Sequence, residues 1–190
     1  MKIKKIKLPE KLEAYRGIIG FVITLMLSNL LWKYNIEGDE SNSISSIVSL
    51  WGWDISAPFN FMAKNVANNC VYLLTWMGNI VTINDSNVIR HSNGNGVRII
   101  WACSGIKQAY IFTCILLFSR GGWSRKIIYI LGGLLVVYIF NVIRITFIAA
   151  AIQHHQDWFV FLHEYLTKYA FYAVIFAMWV FWEEKIALKQ

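Results

Sequence analysis

Four long apolar runs dominate the sequence, and polar or charged residues separate each run from the next. The runs cover residues 17–34, 101–118, 127–153 and 158–182. A helix needs about 20 predominantly apolar residues to cross the hydrocarbon core of a bilayer. Trp and Tyr residues lie near several ends of these runs, as they do at membrane–water interfaces. The pattern therefore predicts an all-α fold, a polytopic membrane helix bundle with about four transmembrane helices.

The stretch between the first two runs has a different pattern. Residues 35–56 predict an exposed acidic loop with a short apolar piece, Ile44–Trp53. Between residues 57 and 80, polar side chains recur at spacings of three and four, which favours one amphipathic helix that lies in the interface or lines a cavity. These polar residues are Asn60, Lys64, Asn68, Tyr72, Thr75 and Asn79. Residues 81–100 alternate short β-prone pieces with Asn-Gly pairs, which predicts an extended hairpin.

Charged residues are scarce and unevenly placed. They make up 15% of the chain, against about 25% in soluble domains, so the composition also favours a membrane protein. The net charge is +7, and the largest basic clusters lie at residues 2–16, 119–126 and 185–189, each beside an apolar run. A nucleic-acid-binding protein gathers such charge along a groove or a helix face. We therefore expect no nucleic-acid partner.

The basic clusters also predict how the chain crosses the membrane. Cytoplasmic loops carry an excess of Lys and Arg, so we expect both termini and the 119–126 loop in the cytoplasm and residues 35–100 outside. The segment 57–80 then does not cross the bilayer. Residues 1–190 would form a single integral domain of the cell membrane.

Under this topology, Cys103, Arg144 and His163 fall at the outer ends of three helices, in one layer. Histidine titrates near neutrality and is suited to proton exchange with a cysteine nucleophile. An arginine inside an apolar helix is costly unless it is paired or hydrated. Arg144 therefore indicates a site that binds an oxyanion, a thiolate or a carboxylate. The alternative is that Arg144 snorkels to the outer headgroups.

We predict that Cys103 lies in the first turn of its helix, where the helix N-terminus lowers a thiol pKa from about 8.5. Lys107 lies one turn further on the same face and adds positive potential, and exposed backbone N–H groups there can hold an oxyanion. The alternative is a buried structural cysteine, which is what we expect of Cys70 and Cys114. No CxxC spacing occurs, which argues against a zinc site or a disulfide framework.

Two further histidines compete with His163, and a third, His91, is expected to be solvated. His154 and His155 precede His163 in the loop, and His91 lies in the extended segment. Adjacent histidines point in different directions on a helix and no HxxxH spacing occurs, so we expect no metal site. The sequence leaves open whether His154 or His155 takes the place of His163.

The residues on the three outer helix ends resemble the motifs of a known family. They read Ala102-Cys103-Ser104-Gly105-Ile106, then Asn141-x-x-Arg144-Ile145, then His163-Glu164. Over about residues 95–175, the chain resembles the exosortase/archaeosortase family of multi-pass membrane cysteine enzymes. The resemblance implies that Cys103 is the nucleophile, Arg144 the transition-state stabiliser and His163 the general acid/base.

The resemblance also implies a membrane-embedded, sortase-like cysteine protease or transpeptidase with an extracytoplasmic active site. Its partners would be the C-terminal sorting signals of exported, membrane-anchored proteins, the lipid bilayer and an amine acceptor. Each signal consists of a short motif, a transmembrane helix and a basic tail. We expect Ser104, Lys107 and Asn141 to bind the substrate, and we expect no cofactor. The family often has a glycine soon after the histidine, where this chain has Leu166-Thr167.

Two other functions are alternatives to a cysteine protease or transpeptidase. A non-catalytic membrane assembly factor would use Arg144 and Lys107 to bind lipid headgroups or a partner helix. A transporter or channel subunit ranks low, because about four spans without an internal repeat do not match the repeat-built transporter folds.

Overall fold

The computed structural model of the protein describes residues 15–38, 47–85 and 87–187. Five α-helices account for most of these residues: α1 Arg16–Asn35, α2 Ser56–Trp76, α3 Ile106–Phe118, α4 Trp123–Ile152 and α5 Thr167–Phe181. Turns of other helical types extend α5 on both sides, so one helical segment runs over Gln156–Ala187. Most of the N-terminal basic cluster, part of the acidic loop and Lys189 lie outside the described residues.

Among the described residues, three helical segments are long and apolar enough to cross a membrane: α1, α4 and Gln156–Ala187. Helix α3 is also apolar but has 13 residues, or about 20 Å at 1.5 Å per residue, which is short of a hydrocarbon core of about 30 Å. The predicted run 101–118 is interrupted, because its first residues form a separate 3₁₀ turn, Trp101–Cys103. The structure thus supports three of the roughly four expected spans.

Two small antiparallel sheets correct the all-α prediction. The first contains β1 Ile36–Gly38, β2 Val48–Leu50 and β3 Trp53–Asp54, and the second contains β4 Val81–Asn84, β5 Val88–His91 and β6 Gly96–Arg98. The second sheet is the extended segment expected for residues 81–100, with Thr82 opposite Arg90. The first sheet occupies part of the expected acidic loop, where strands of two or three residues are too short to show an alternating pattern.

Helix α2 is the amphipathic helix expected near residues 57–80. Its apolar face is buried and consists of Phe59, Ala63, Val66, Ala67, Cys70 and Leu74. This face packs against the later part of α4 and the second sheet. Lys64, Asn68 and Thr75 on the polar face are exposed. Helix α2 is not among the helices long and apolar enough to cross a membrane.

Two apolar clusters lie along α4. In its earlier part, α4 packs with α1, α3 and α5 in a cluster rich in aromatic rings, which include Phe112, Phe171 and Trp182. In its later part, α4 packs with α2 and the second sheet through residues such as Val142 and Ile148. Cys103 belongs to this second cluster. The candidate nucleophile therefore packs together with the later part of α4, α2 and the second sheet.

Candidate active site

Cys103 closes the 3₁₀ turn Trp101–Cys103 and precedes α3, so the prediction that it lies in the first turn of the helix was wrong. Ser104 and Gly105 separate the turn from the helix. Gly105 has a φ of +83°, and a Cβ atom there would lie 3.0 Å from the side-chain nitrogen of Asn141. Because other L-residues rarely adopt this conformation, Gly105 lets the chain turn sharply into α3 just after Cys103.

The backbone N–H groups around Cys103 already donate hydrogen bonds within the turn. The N–H of Cys103 donates to the Ile100 carbonyl over 2.9 Å, and the N–H of Ser104 donates to the Trp101 carbonyl over 3.1 Å. The N–H of Ile106 donates to Ser104 Oγ over 3.3 Å. These three groups therefore do not match the expectation of exposed donors for an oxyanion.

Asn141 holds the same turn from α4. Its side chain is fully buried, and its Nδ2 donates to the Cys103 carbonyl over 2.8 Å. Its Oδ1 is also buried and has no hydrogen-bond partner among the residues that the structure describes. Cys103 is 9% exposed and carries a thiol. Asn141 thus fixes the backbone of Cys103 and leaves one acceptor oxygen beside it.

Arg144 lies on α4 and is 8% exposed. Its Nε donates to Thr167 Oγ1 over 2.9 Å, and its Nη2 donates to the His163 carbonyl over 3.5 Å. The guanidinium is also within electrostatic range of Cys103. A side chain that snorkels extends its charged group into water, whereas these contacts keep the guanidinium inside the bundle. The structure therefore argues against snorkelling.

His163 lies on the π-helical segment Phe161–Leu166, just before α5. Its Nδ1 lies 2.9 Å from Glu164 Oε1, and its side chain is 28% exposed. Its ring stacks on Phe159 with 5.3 Å between centroids. An imidazole held at Nδ1 presents Nε2 for proton transfer. Single π-helical turns occur frequently at functional sites, and this one places the His163 backbone against Arg144.

The other histidines lie elsewhere. His154 and His155 are exposed in the connection after α4, and the ring of His155 stacks on a tryptophan at 4.7 Å. Contrary to expectation, His91 is buried on β5, where its Nε2 lies 2.8 Å from a backbone carbonyl of α4. Within the described part of the chain, no three His, Cys, Asp or Glu side chains gather as a metal site would require. The histidine that the structure places beside Arg144 is His163.

The three expected substrate-binding residues differ in accessibility. Asn141 and Ser104 are 0% and 1% exposed, and both bond the backbone around Cys103. Lys107 is partly exposed and lines a cavity of about 420 Å³ between α1 and the Cys103 turn. The other residues that line this cavity are Asn29, Leu30, Trp32, Lys33, Ile36, Trp101 and Ala102. Of the three, Lys107 is therefore the residue placed to meet a ligand.

A comparison with protein-family models assigns the chain to a family. The model described as Transmembrane exosortase (Exosortase_EpsH) matches residues 44–185, about three quarters of the chain. The protein belongs to the transmembrane exosortase family. The match contains Cys103, Arg144 and His163 and extends well beyond the region 95–175 that carries the resemblance. Comparisons with curated proteins and with solved structures gave no significant match.

Two residues of the candidate site in this exosortase were not among those predicted from the sequence. Thr167 accepts a hydrogen bond from Arg144, and the Glu164 carboxylate contacts His163. Both are polar residues inside the last apolar run, and this polarity is the only feature by which the sequence could have indicated them. The same signal applies to Lys168, which is exposed and lies 3.8 Å from Glu164. Polarity within the run therefore could not identify the residues of the site.

Proposed function

We propose that this exosortase is a membrane-embedded cysteine protease or transpeptidase that processes the C-terminal sorting signals of exported proteins. The observation that carries the proposal is the buried guanidinium of Arg144, which contacts the His163 backbone and interacts with Cys103. The contacts of Arg144 thus support a site that includes the Cys103 turn and the helical segment of His163. Exosortases are in general cysteine-type transpeptidases, and this arrangement supports that chemistry here.

The first step is transfer of the Cys103 thiol proton to His163 and attack by the resulting thiolate on the peptide carbonyl that joins the sorting motif to the rest of the signal. A bond forms between the sulfur and the carbonyl carbon, and the carbonyl oxygen becomes an oxyanion. The N–H groups of Cys103 and Ser104 are occupied by backbone carbonyls. Arg144 therefore supplies the positive charge that stabilises the oxyanion, in a site largely closed to water.

The second step is loss of the leaving group. His163 donates a proton to the amine nitrogen, the C–N bond breaks, and a thioester remains on Cys103. The contact between His163 Nδ1 and Glu164 orients the ring for this transfer. An amine or a water then attacks the thioester, gives its proton to His163 and releases the thiolate. An amine completes transpeptidation, and water completes hydrolysis.

The membrane setting supports the proposed substrate class. A transmembrane helix fixes the depth of the cleaved bond, and a basic tail keeps the far end of that helix in the cytoplasm. Arg120, Arg125 and Lys126 lie around the junction of α3 and α4, at the opposite ends of these helices from the site. This placement supports cytoplasmic termini and an extracytoplasmic site in the cell membrane. Lys107 and its cavity adjoin the Cys103 turn and would receive residues of the motif.

A thioester-trapping assay tests the proposal. The purified protein in liposomes is incubated with a membrane protein that carries such a signal, and hydroxylamine converts the thioester into a hydroxamate. We expect wild type, Cys70→Ala and Cys114→Ala to shorten the substrate and yield the hydroxamate, and Cys103→Ala to do neither. Equal shortening by Cys103→Ala would refute the mechanism. No product from any protein, with Cys103 inert to a membrane-impermeant thiol reagent, would favour a non-catalytic assembly factor.

A further inference from the structure

The helical segment that carries His163 widens by one residue beside Arg144. In an α-helix, the N–H of Thr167 would donate to the carbonyl four residues earlier, which belongs to His163. Here it donates to Leu162, five residues earlier, within the π-helical geometry of Phe161–Leu166. The His163 carbonyl is not taken by the Thr167 N–H, and it accepts a hydrogen bond from Arg144 Nη2 over 3.5 Å.

The hydroxyl of Thr167 connects this π-helical turn to α4. Oγ1 donates to the Leu162 carbonyl over 2.7 Å and accepts from Arg144 Nε over 2.9 Å. The residue is 6% exposed. A guanidinium is planar and presents its donors in a fixed fork. Two anchors, one at Thr167 and one at the His163 carbonyl, therefore set the direction of the N–H groups that remain.

We propose that Thr167 is a positioning residue for this exosortase: its hydroxyl and the π-helical turn hold Arg144 so that the remaining N–H groups face the Cys103 side of the site. Its importance for catalysis rests on the proposed function, but the position of Arg144 can be measured without a substrate. A threonine with a purely structural role stabilises the helix whether or not Arg144 is present. The effect of a positioning threonine disappears when Arg144 is removed.

The first measurement follows the Arg144 side chain. In protein with ¹⁵N-labelled arginine, the Nε–H signal of Arg144 is assigned by its loss in Arg144→Lys. Thr167→Val keeps the shape of the side chain but removes the acceptor. We expect hydrogen exchange at this N–H to become at least about tenfold faster, because a hydrogen bond to a charged group is lost. Thr167→Ser keeps the hydroxyl and should retain the slow exchange of wild type.

The second measurement follows the Cys103 thiol. A correctly placed positive charge favours the thiolate, which is the form that reacts with iodoacetamide. We expect alkylation of Cys103 at neutral pH to slow about tenfold in Arg144→Ala and by a smaller factor in Thr167→Val. Thr167→Ser should restore the wild-type rate. The double variant Thr167→Val with Arg144→Ala should react no more slowly than Arg144→Ala alone.

Wild-type exchange at Arg144 in Thr167→Val would overturn the proposal. The proposal would also be overturned if Thr167→Val slowed the alkylation of Cys103 equally in proteins with and without Arg144. If thermal unfolding shows that Thr167→Val does not fold, Thr167→Cys replaces it, since a thiol is a weak hydrogen-bonding group of similar size, and it must show the same two changes. A wild type that gives no thioester but passes the exchange test would remove the proposed function and leave Thr167 as the anchor of Arg144.

Discussion

Residues 123–140 of α4 pack mainly through apolar and aromatic side chains against α1, α3 and α5, and the buried Lys126 there donates to backbone carbonyls at the end of α3. Residues 141–152 carry buried polar groups that bond elements of the candidate site. In the later part, Asn141 donates to the Cys103 backbone and Arg144 donates to the last helical segment. Both parts belong to one continuous helix and both are closely packed. They differ in what the packing achieves.

We interpret the earlier part of α4 as stabilising the fold and the later part as supporting the chemistry of the site. A Cβ atom at Gly133, in the earlier part, would overlap the ring of Phe112, so this part depends on close apolar contact. Buried polar groups are costly unless they are hydrogen-bonded, and in the later part Asn141 and Arg144 direct their bonds to the Cys103 turn and to His163. We therefore expect changes in the earlier part to lower stability, and changes in the later part to lower reactivity.

The largest effect is expected for Arg144→Ala. Loss of one group that stabilises an oxyanion typically slows catalysis about 10²–10³-fold, and we expect processing of a sorting signal to slow by that order. Arg144→Lys keeps a charge but not the fork that reaches Thr167 and His163, so it should recover only part of the rate. The measurement is the rate of substrate shortening in liposomes. Processing at the wild-type rate by folded Arg144→Ala would contradict the expectation that changes in the later part of α4 lower reactivity.

A smaller effect, about tenfold on the same rate, is expected for Asn141→Ala, because the Cys103 turn loses one hydrogen bond from α4. Thr146→Val is the matched control. Thr146 is buried in the same part of α4, and its hydroxyl donates to the Val142 carbonyl of its own helix over 2.8 Å. It should leave the rate within about twofold of wild type, since a net hydrogen bond of this kind contributes little. Equal losses in both variants would show that buried polarity alone, rather than the link to Cys103, matters.

Gly133→Ala should lower the free energy of unfolding by about 1–3 kcal/mol, as overpacking usually does, while alkylation of Cys103 in the folded protein stays near the wild-type rate. Its neighbour Gly132 provides the control, because a Cβ atom there meets nothing within 4 Å. Gly132→Ala should therefore keep or raise stability. Thermal unfolding in detergent and the alkylation rate measure the two quantities. Slower alkylation of Cys103 in folded Gly133→Ala would contradict the expectation that changes in the earlier part of α4 affect stability alone.

The smallest effect is expected at Cys70, which shares the second apolar cluster with Cys103. Burial raises the pKa of the Cys70 thiol to about 11, so almost none of it is thiolate at neutral pH and it should resist alkylation. Cys70→Ala should leave the extent and the site of labelling unchanged, as read by peptide mass spectrometry. Labelling that falls mainly on Cys70 would mean that the reactive thiol has been misassigned.

The long helices follow from the sequence because apolar length is a strong and local signal. Single polar residues within apolar runs also indicated Arg144 and His163, since each is costly there without a partner. The shortness of α3 was missed, because it depends on the positive φ of Gly105, which hydropathy does not report. The first sheet was missed as well, because its strands are too short to alternate.

The partners of the site residues could not be predicted from the sequence. Asn141 was expected to bind substrate, and the structure uses its amide group to hold the Cys103 carbonyl. The role of Thr167 depends on a one-residue change of helical register before α5. Nothing in a run of apolar and aromatic residues reports such a change, because α- and π-helical turns can be built from the same residue types.

Cys103 is the proposed nucleophile that processes the sorting signals of membrane-anchored proteins. The most direct test compares the C-termini of membrane proteins, by mass spectrometry, in cells that carry wild type, Cys70→Ala or Cys103→Ala at the native locus. We expect proteins with an intact motif, transmembrane helix and basic tail to accumulate in Cys103→Ala alone and to disappear when wild type is restored. Identical C-termini in all three strains, with Cys103→Ala present at the wild-type level, would contradict it.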